Sequence, residues 1–224
     1  MSRVSVRMVA MMLTVLAGTL ACRAGSGASA AVPSPVVDEA KAEAKGKETA
    51  VVAGGCFWGI QAVFQHVKGV HSATAGYSGG TVKNPDYEMV SSGETGHAES
   101  VQIVYDPSQV TYGELLRVFF SVAHDPTELN RQGPDEGTQY RSVIFYGSDQ
   151  QKKIAEGYIA QLEQAGVYRH KIVTQVVGLQ AFYAAEGYHQ NYATIHPNDP
   201  YIMFNDAPKV ANLKKEFPEL WSGK

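Results

Sequence analysis

Between residues 49 and 177 the apolar positions switch repeatedly between an every-second-residue rhythm and a helical spacing, and this alternation restricts the fold more than any other feature. Residues 49–54 (TAVVAG) form a short β-type run ending in glycines, and 57–67 has helical spacing with Ile60, Val63, Phe64 and Val67 apolar. Residues 70–77 read as a strand stopped by Ser78-Gly79-Gly80. Residues 98–105 alternate cleanly, with Val101, Ile103 and Tyr105 on one face of a half-buried strand. Residues 112–123 read as a helix opened by Thr111 as N-cap, with Glu114 three positions on. A strand over 141–146, a helix over 148–165 and a strand over 171–177 complete the pattern. The order β-α-β-β-α-β-α-β predicts an α+β domain, a two-layer sandwich with helices packed on a mostly antiparallel sheet around a ferredoxin-like core. After Leu179 the chain is rich in Tyr, Pro and Asn, which predicts an irregular C-terminal wrap.

The first residues do not share this texture. Arg3 and Arg7 precede an uncharged apolar run over 8–21, shorter than the ~20 residues of a comfortable membrane span. A basic start, a short apolar stretch and small residues near its end predict an export signal over 1–21. Thr19-Leu20-Ala21-Cys22 is similar to a bacterial lipoprotein processing site, although Thr19 stands where that pattern usually has Leu. Cys22 is thus a candidate for lipidation and membrane attachment, with a plain cleaved leader as the alternative. Small residues, Pro and alternating charge over 23–47 cannot build a core, so 22–48 is expected to be a flexible linker and 49–221 the folded domain. A formal charge of −3 offers no basic footprint and argues against nucleic acid as a partner.

Beyond Cys22 the chain has one cysteine, Cys56. A lone cysteine is either a buried small hydrophobe or a reactive thiol. Its context, Gly54-Gly55-Cys56-Phe57-Trp58-Gly59, places it after a Gly-Gly turn where a helix begins. Unpaired N–H groups and the positive end of the helix dipole there favour the thiolate, which is the nucleophile. Phe57 and Trp58 would supply an apolar, polarisable wall suited to a thioether or methyl group; simple core packing is the alternative for both.

Gly55-Cys56-Phe57-Trp58-Gly59 resembles the signature of the peptide methionine sulfoxide reductase A family. The likeness continues through GYSGG (76–80), NPDYE (84–88), SGETGHAES (92–100), HDPTELNRQGPDEGTQYRS (124–142) and YHQNY (188–192), in the family's order. The resemblance implies that Cys56 attacks the sulfoxide sulfur while Glu99 protonates the departing oxygen. Glu99 shares a strand face with Val101 and Ile103, where a carboxyl is costly unless it has a purpose. The resemblance also implies Tyr87 and Tyr140 as hydroxyl donors to the sulfoxide oxygen, Asp135 as a carboxylate orienting substrate or water, and Phe57 and Trp58 as substrate-binding rings. It further implies the S epimer as substrate, in peptides or proteins and in free form, and a sulfenic acid on Cys56 as intermediate.

One departure stands out: relatives often carry recycling cysteines near the C-terminus, and some have one where Ser91 stands here, whereas this chain has neither. No cofactor is then expected beyond an external thiol reductant, such as a thioredoxin or glutaredoxin system or a small thiol. His97, His124 and the single Glu186-x-x-His189 do not stand at metal-ligand spacing from Cys56, so no metal is expected. The chain is expected to be a monomer in the bacterial periplasm, repairing oxidised envelope or secreted proteins. Two other readings remain open at this point: a Cys–His hydrolase, which needs an imidazole beside Cys56, and a non-catalytic envelope lipoprotein.

Overall fold

A computed structural model of the chain describes residues 32–223. The export signal over 1–21, Cys22 and the linker through residue 31 lie outside the described residues. The elements run β1 (Glu48–Ala53), α1 (Phe57–Gln65), β2 (Val70–Ser78), α2 (Tyr87–Ser91), β3 (Ala98–Tyr105) and α3 (Tyr112–Val118), which continues as a π turn over Phe119–Ala123. There follow β4 (Arg131–Gln132), β5 (Asp135–Glu136), β6 (Val143–Tyr146), α4 (Asp149–Gln164), β7 (Gln175–Gly178), β8 (Phe182–Ala184) and α5 (Tyr192–Ile195). A second π turn, Ile202–Asp206, leads into α6 (Ala207–Glu216).

Six strands form one sheet in the order β7-β6-β1-β3-β2-β8, antiparallel except for the β6–β7 edge pair. β3 lies between β1 and β2, the two strands that α1 connects, so the expected split βαβ core is present. Alternation sorts the side chains: Val52, Val101, Ile103 and Ile144 join Val63, Phe64, Leu115, Leu116 and Phe119 in the main core, whereas Val51, Ala53, Val143 and Phe145 face the other side. Val52 pairs with Val101, so the chain leaves β1 for α1 beside Glu99, two residues earlier in β3. That register brings Cys56 and Glu99 to the same place.

Local signals hold where they were strongest. Thr111 Oγ1 accepts from Glu114 N–H at 3.1 Å and Glu114 Oε2 accepts from Thr111 N–H at 2.9 Å, completing the capping box. The C-terminal wrap contains a ten-residue helix, α6, whose Pro208 and closing Lys214-Lys215 are ordinary helix-end signals within an irregular-looking stretch.

The flexible linker expected over 22–48 is corrected for residues 32–47, which lie against the domain. Asp38 accepts from Thr111 Oγ1 at 2.5 Å and from Gly113 N–H at 2.9 Å, and Glu39 accepts from Tyr112 N–H at 3.1 Å. These acidic side chains satisfy free N–H groups at the start of α3. Tyr158 OH and Arg117 Nε donate to the carbonyls of Pro33 and Val32, at 2.6 and 3.0 Å. Composition shows that the arm cannot build a core; it does not show that the arm can adopt one already built.

Candidate active site

Cys56 is the N-cap residue of α1 and uses no side-chain cap of its own. The turn before it requires Gly55, at φ +99°, where a Cβ would press into the Gln132 side chain. Glu99 reaches the same helix end from β3: its Oε2 accepts from Phe57 N–H at 3.0 Å, one residue beyond Cys56. Glu99 is 3% exposed, and burial lifts its carboxyl to about 8, against the lowering effect of that hydrogen bond and with the Asp135 and Asp206 charges adding to the rise. At neutral pH Glu99 therefore carries a proton and faces the thiol as an acid.

The thiolate expected for Cys56 is corrected. Cys56 is 7% exposed, and burial first, then the Glu99 and Asp206 carboxylates, push its thiol well up. The Trp58 N–H and the Lys209 ammonium pull the other way and do not prevail. The helix-terminus field exists, but desolvation outweighs it. At rest the site holds a thiol beside a carboxylic acid.

The other side chains expected at the site converge on this pair. Tyr87 and Tyr140 are half-buried, with hydroxyls raised by burial and near enough to respond to Glu99 and Cys56, so both remain neutral donors. Asp135, on the short β4–β5 hairpin, is half-buried, and burial raises its carboxyl. Phe57 is fully buried and its ring lies 5.9 Å from that of Tyr77; Trp58 is partly exposed beside it. Trp58, Tyr87, Asp135, Tyr140 and Tyr201 are each partly exposed.

Three participants were missed in the sequence. Tyr201 OH donates to Asp135 Oδ2 and its ring meets Trp58 edge-on at 6.0 Å. His189, 3% exposed and with neither ring nitrogen hydrogen-bonded among the described residues, sits between the rings of Tyr87 (4.3 Å) and Phe57 (5.2 Å). Glu186 accepts from Tyr87 N–H and Tyr77 OH, both at 2.9 Å, and so fixes the start of α2. Tyr201 is one of the chain's twelve tyrosines and stands in a segment without periodicity, so no local pattern distinguishes it. His124 and His97 are engaged elsewhere: His124 with Ser142 Oγ at 2.8 Å, and His97 with Gly80 N–H at 3.1 Å and Val82 O at 2.8 Å. Among the described residues no imidazole hydrogen-bonds Cys56, and no group of three or more His, Cys, Asp or Glu side chains is placed to hold a metal ion.

An acid proton, a thiol and neutral hydroxyls around an apolar wall suit transfer of a polarised oxygen from one sulfur to another. Comparison with known proteins agrees. The family model for peptide methionine sulfoxide reductase matches residues 48–220. Peptide methionine sulfoxide reductase MsrA 2 of Mesorhizobium japonicum is 61% identical over 181 residues, 81% of this chain and 93% of the relative. Among solved structures, methionine sulfoxide reductase A of Corynebacterium diphtheriae aligns with a TM-score of 0.60 at 40% identity, over 69% of this chain and 77% of that one. Mxr1 of Saccharomyces cerevisiae in its reduced form aligns at 0.61 and 33% identity, over 73% and 92%. The chain therefore belongs to the peptide methionine sulfoxide reductase family, in its MsrA branch, and is a thiol-dependent oxidoreductase acting on methionine sulfoxide.

Proposed function

We propose that Cys56 is the nucleophile and Glu99 the proton donor in the reduction of methionine S-sulfoxide. Glu99 protonates the sulfoxide oxygen, with Tyr87 and Tyr140 donating hydrogen bonds to it, and the sulfur becomes electrophilic. The Cys56 sulfur attacks, and its proton passes to the carboxylate that Glu99 has become. The sulfur–sulfur bond formed in the attack and the substrate's sulfur–oxygen bond then break as the oxygen passes to the cysteine sulfur, so methionine leaves and Cys56 holds the oxygen as a sulfenic acid. Two electrons move from the cysteine sulfur to the methionine sulfur, and Glu99 ends the step protonated again.

The observation that carries this reading is the 3.0 Å hydrogen bond from Phe57 N–H to Glu99, which fixes a buried acid at the helix end that Cys56 caps. Trp58 receives the methyl group; Phe57, expected beside it, is instead fully buried in the core behind it, and Asp135, held by Tyr201, orients the substrate. The test is trapping with a sulfenate-specific reagent after methionine S-sulfoxide is added. One adduct at Cys56 supports the reading; an acyl adduct, or no adduct while methionine forms, contradicts it.

We further infer that an external thiol, from a thioredoxin-like protein, a glutaredoxin or a small thiol, clears the sulfenic acid. Cys56 is the only cysteine after residue 22, which supports this route. We also read the chain as exported to the bacterial periplasm, with Cys22 as a candidate lipid attachment site and oxidised envelope proteins as substrates. The basic, apolar and small-residue sequence of the first 22 residues supports that reading. Mass analysis of the chain recovered from an expressing bacterium separates a lipidated Cys22 from a plain cleaved leader.

A further inference from the structure

We infer that Lys209, held by the buried Asp206 carboxylate against the first turn of α1, is a positioning residue for Cys56, its ammonium stabilising the negative charge on Sγ while the thiol proton is away. The inference rests on Cys56 being the reacting group and adds the charge that compensates it.

The geometry begins at Gly59, three residues after Cys56 and so on the same side of the helix start. A Cβ at Gly59 would stand 2.9 Å from Lys209 Nζ and would collide with Asp206, so glycine is what admits the pair to this spot. Asp206 is fully buried, and its Oδ1 accepts from Lys209 Nζ at 3.1 Å. Its Oδ2 has no hydrogen-bond partner among the described residues. An ion pair whose carboxylate is fully buried and left partly unsatisfied contributes little stability. Lys209 also stands in the first turn of α6, where the helix dipole disfavours a cation. Neither feature is explained by the stability of α6 alone.

The charges around the thiol give the pair its role. Glu99 on β3 and Asp206 oppose ionisation of Cys56, and the Lys209 ammonium is the cation that favours it. The other titratable groups near the thiol are the neutral hydroxyls of Tyr87 on α2, Tyr140, Tyr192 on α5 and Tyr201, with Asp135 behind Tyr201 and the His189 imidazole beyond the Phe57 ring. Asp206 offsets part of the ammonium's effect, and burial keeps the resting thiol protonated. When the proton moves to Glu99, Lys209 and the Trp58 N–H face the charge on sulfur.

The test is the pH dependence of Cys56 alkylation by iodoacetamide in the full chain, read on the Cys56-containing peptide so that Cys22 does not contribute. Lys209→Met should move the midpoint up by about one unit, slowing alkylation at mildly alkaline pH by about tenfold. Asp206→Asn should move it down, and Lys209→Arg should hold it near the wild-type value. Lys209→Met strands a buried carboxylate, so Asp206→Asn is also compared with Asp206→Asn/Lys209→Met; the double variant should have the higher midpoint. Equal midpoints in that comparison, with only melting temperatures changed, would make the pair purely structural and overturn the inference. If Cys56→Ser still reduces sulfoxide, the underlying reading fails instead, so the two failures are distinguishable.

Discussion

At the scale of single residues, the Glu99 carboxyl at about 8 sets a pH signature. Below that value it holds the proton that the sulfoxide oxygen needs, and as pH rises through it the donor is lost. Single-turnover reduction should therefore fall above about pH 8, and Glu99→Gln should be slower by about 100-fold or more and lack that alkaline limb. A wild-type rate that stays flat through that range would exclude Glu99 as the donor. The same shift has a stability consequence of opposite benefit. Between the ordinary carboxylate value of 4.5 and about 8 the folded chain keeps a proton that the unfolded chain has released, so stability falls as pH rises across that window. The melting temperature of Glu99→Gln should gain on wild type from pH 4.5 to pH 8; a constant difference would contradict the shift. Glu99 was legible in the sequence through the resemblance carried by residues 92–100, and its place on the apolar face of an alternating strand agreed with that role. The protonated state of Cys56 was not, because the burial that chiefly raises its thiol is a product of the whole fold, and Glu99 and Asp206, which add to it, lie 43 and 150 positions away in the chain.

At the scale of elements, the arm over 32–47 behaves as part of the domain. Asp38→Ala removes the acceptor for Thr111 Oγ1 and Gly113 N–H and should cost about 1 kcal/mol, the usual worth of a helix cap. For a domain of this size that is a fall of about 2–4 °C in melting temperature. A chain lacking residues 32–47 should lose more; if it melts with the full chain, the arm is only resting on the surface. The strands and long helices were readable because each carries its own period and its own cap, as with Thr111 and Glu114. The attachment of the arm was not readable, since it depends on carbonyls and carboxylates meeting Tyr158, Arg117 and the start of α3 more than 70 positions away. Helix α6 was hidden for another reason: the chain before it, with Pro197, Pro200 and Asn191 at φ +58°, reads as a loop.

At the scale of the whole molecule, the fold serves to bring one point of β3, the start of α1 and the C-terminal segment together. Tyr192 stacks on Trp58 at 3.9 Å, Gln190 Oε1 accepts from Gln61 on α1 at 2.8 Å, and Tyr201 closes on Asp135, so the last third of the chain completes a site begun at residue 56. The strand and helix order and the position of Cys56 were legible before any coordinates, because both are local patterns. The contribution of His189, Tyr201 and the Asp206–Lys209 pair arises only when the C-terminal wrap folds back, and no local pattern encodes it. With no second thiol after residue 22, turnover should stop after about one methionine per Cys56 unless a thiol reductant is supplied. An intramolecular disulfide formed during turnover would contradict that.

The most direct measurement is single-turnover conversion of a methionine S-sulfoxide peptide by the reduced chain, beside Cys56→Ser. The account predicts a burst of methionine matching the amount of Cys56 in the wild type and none from the serine variant. Methionine formed by Cys56→Ser would contradict it outright.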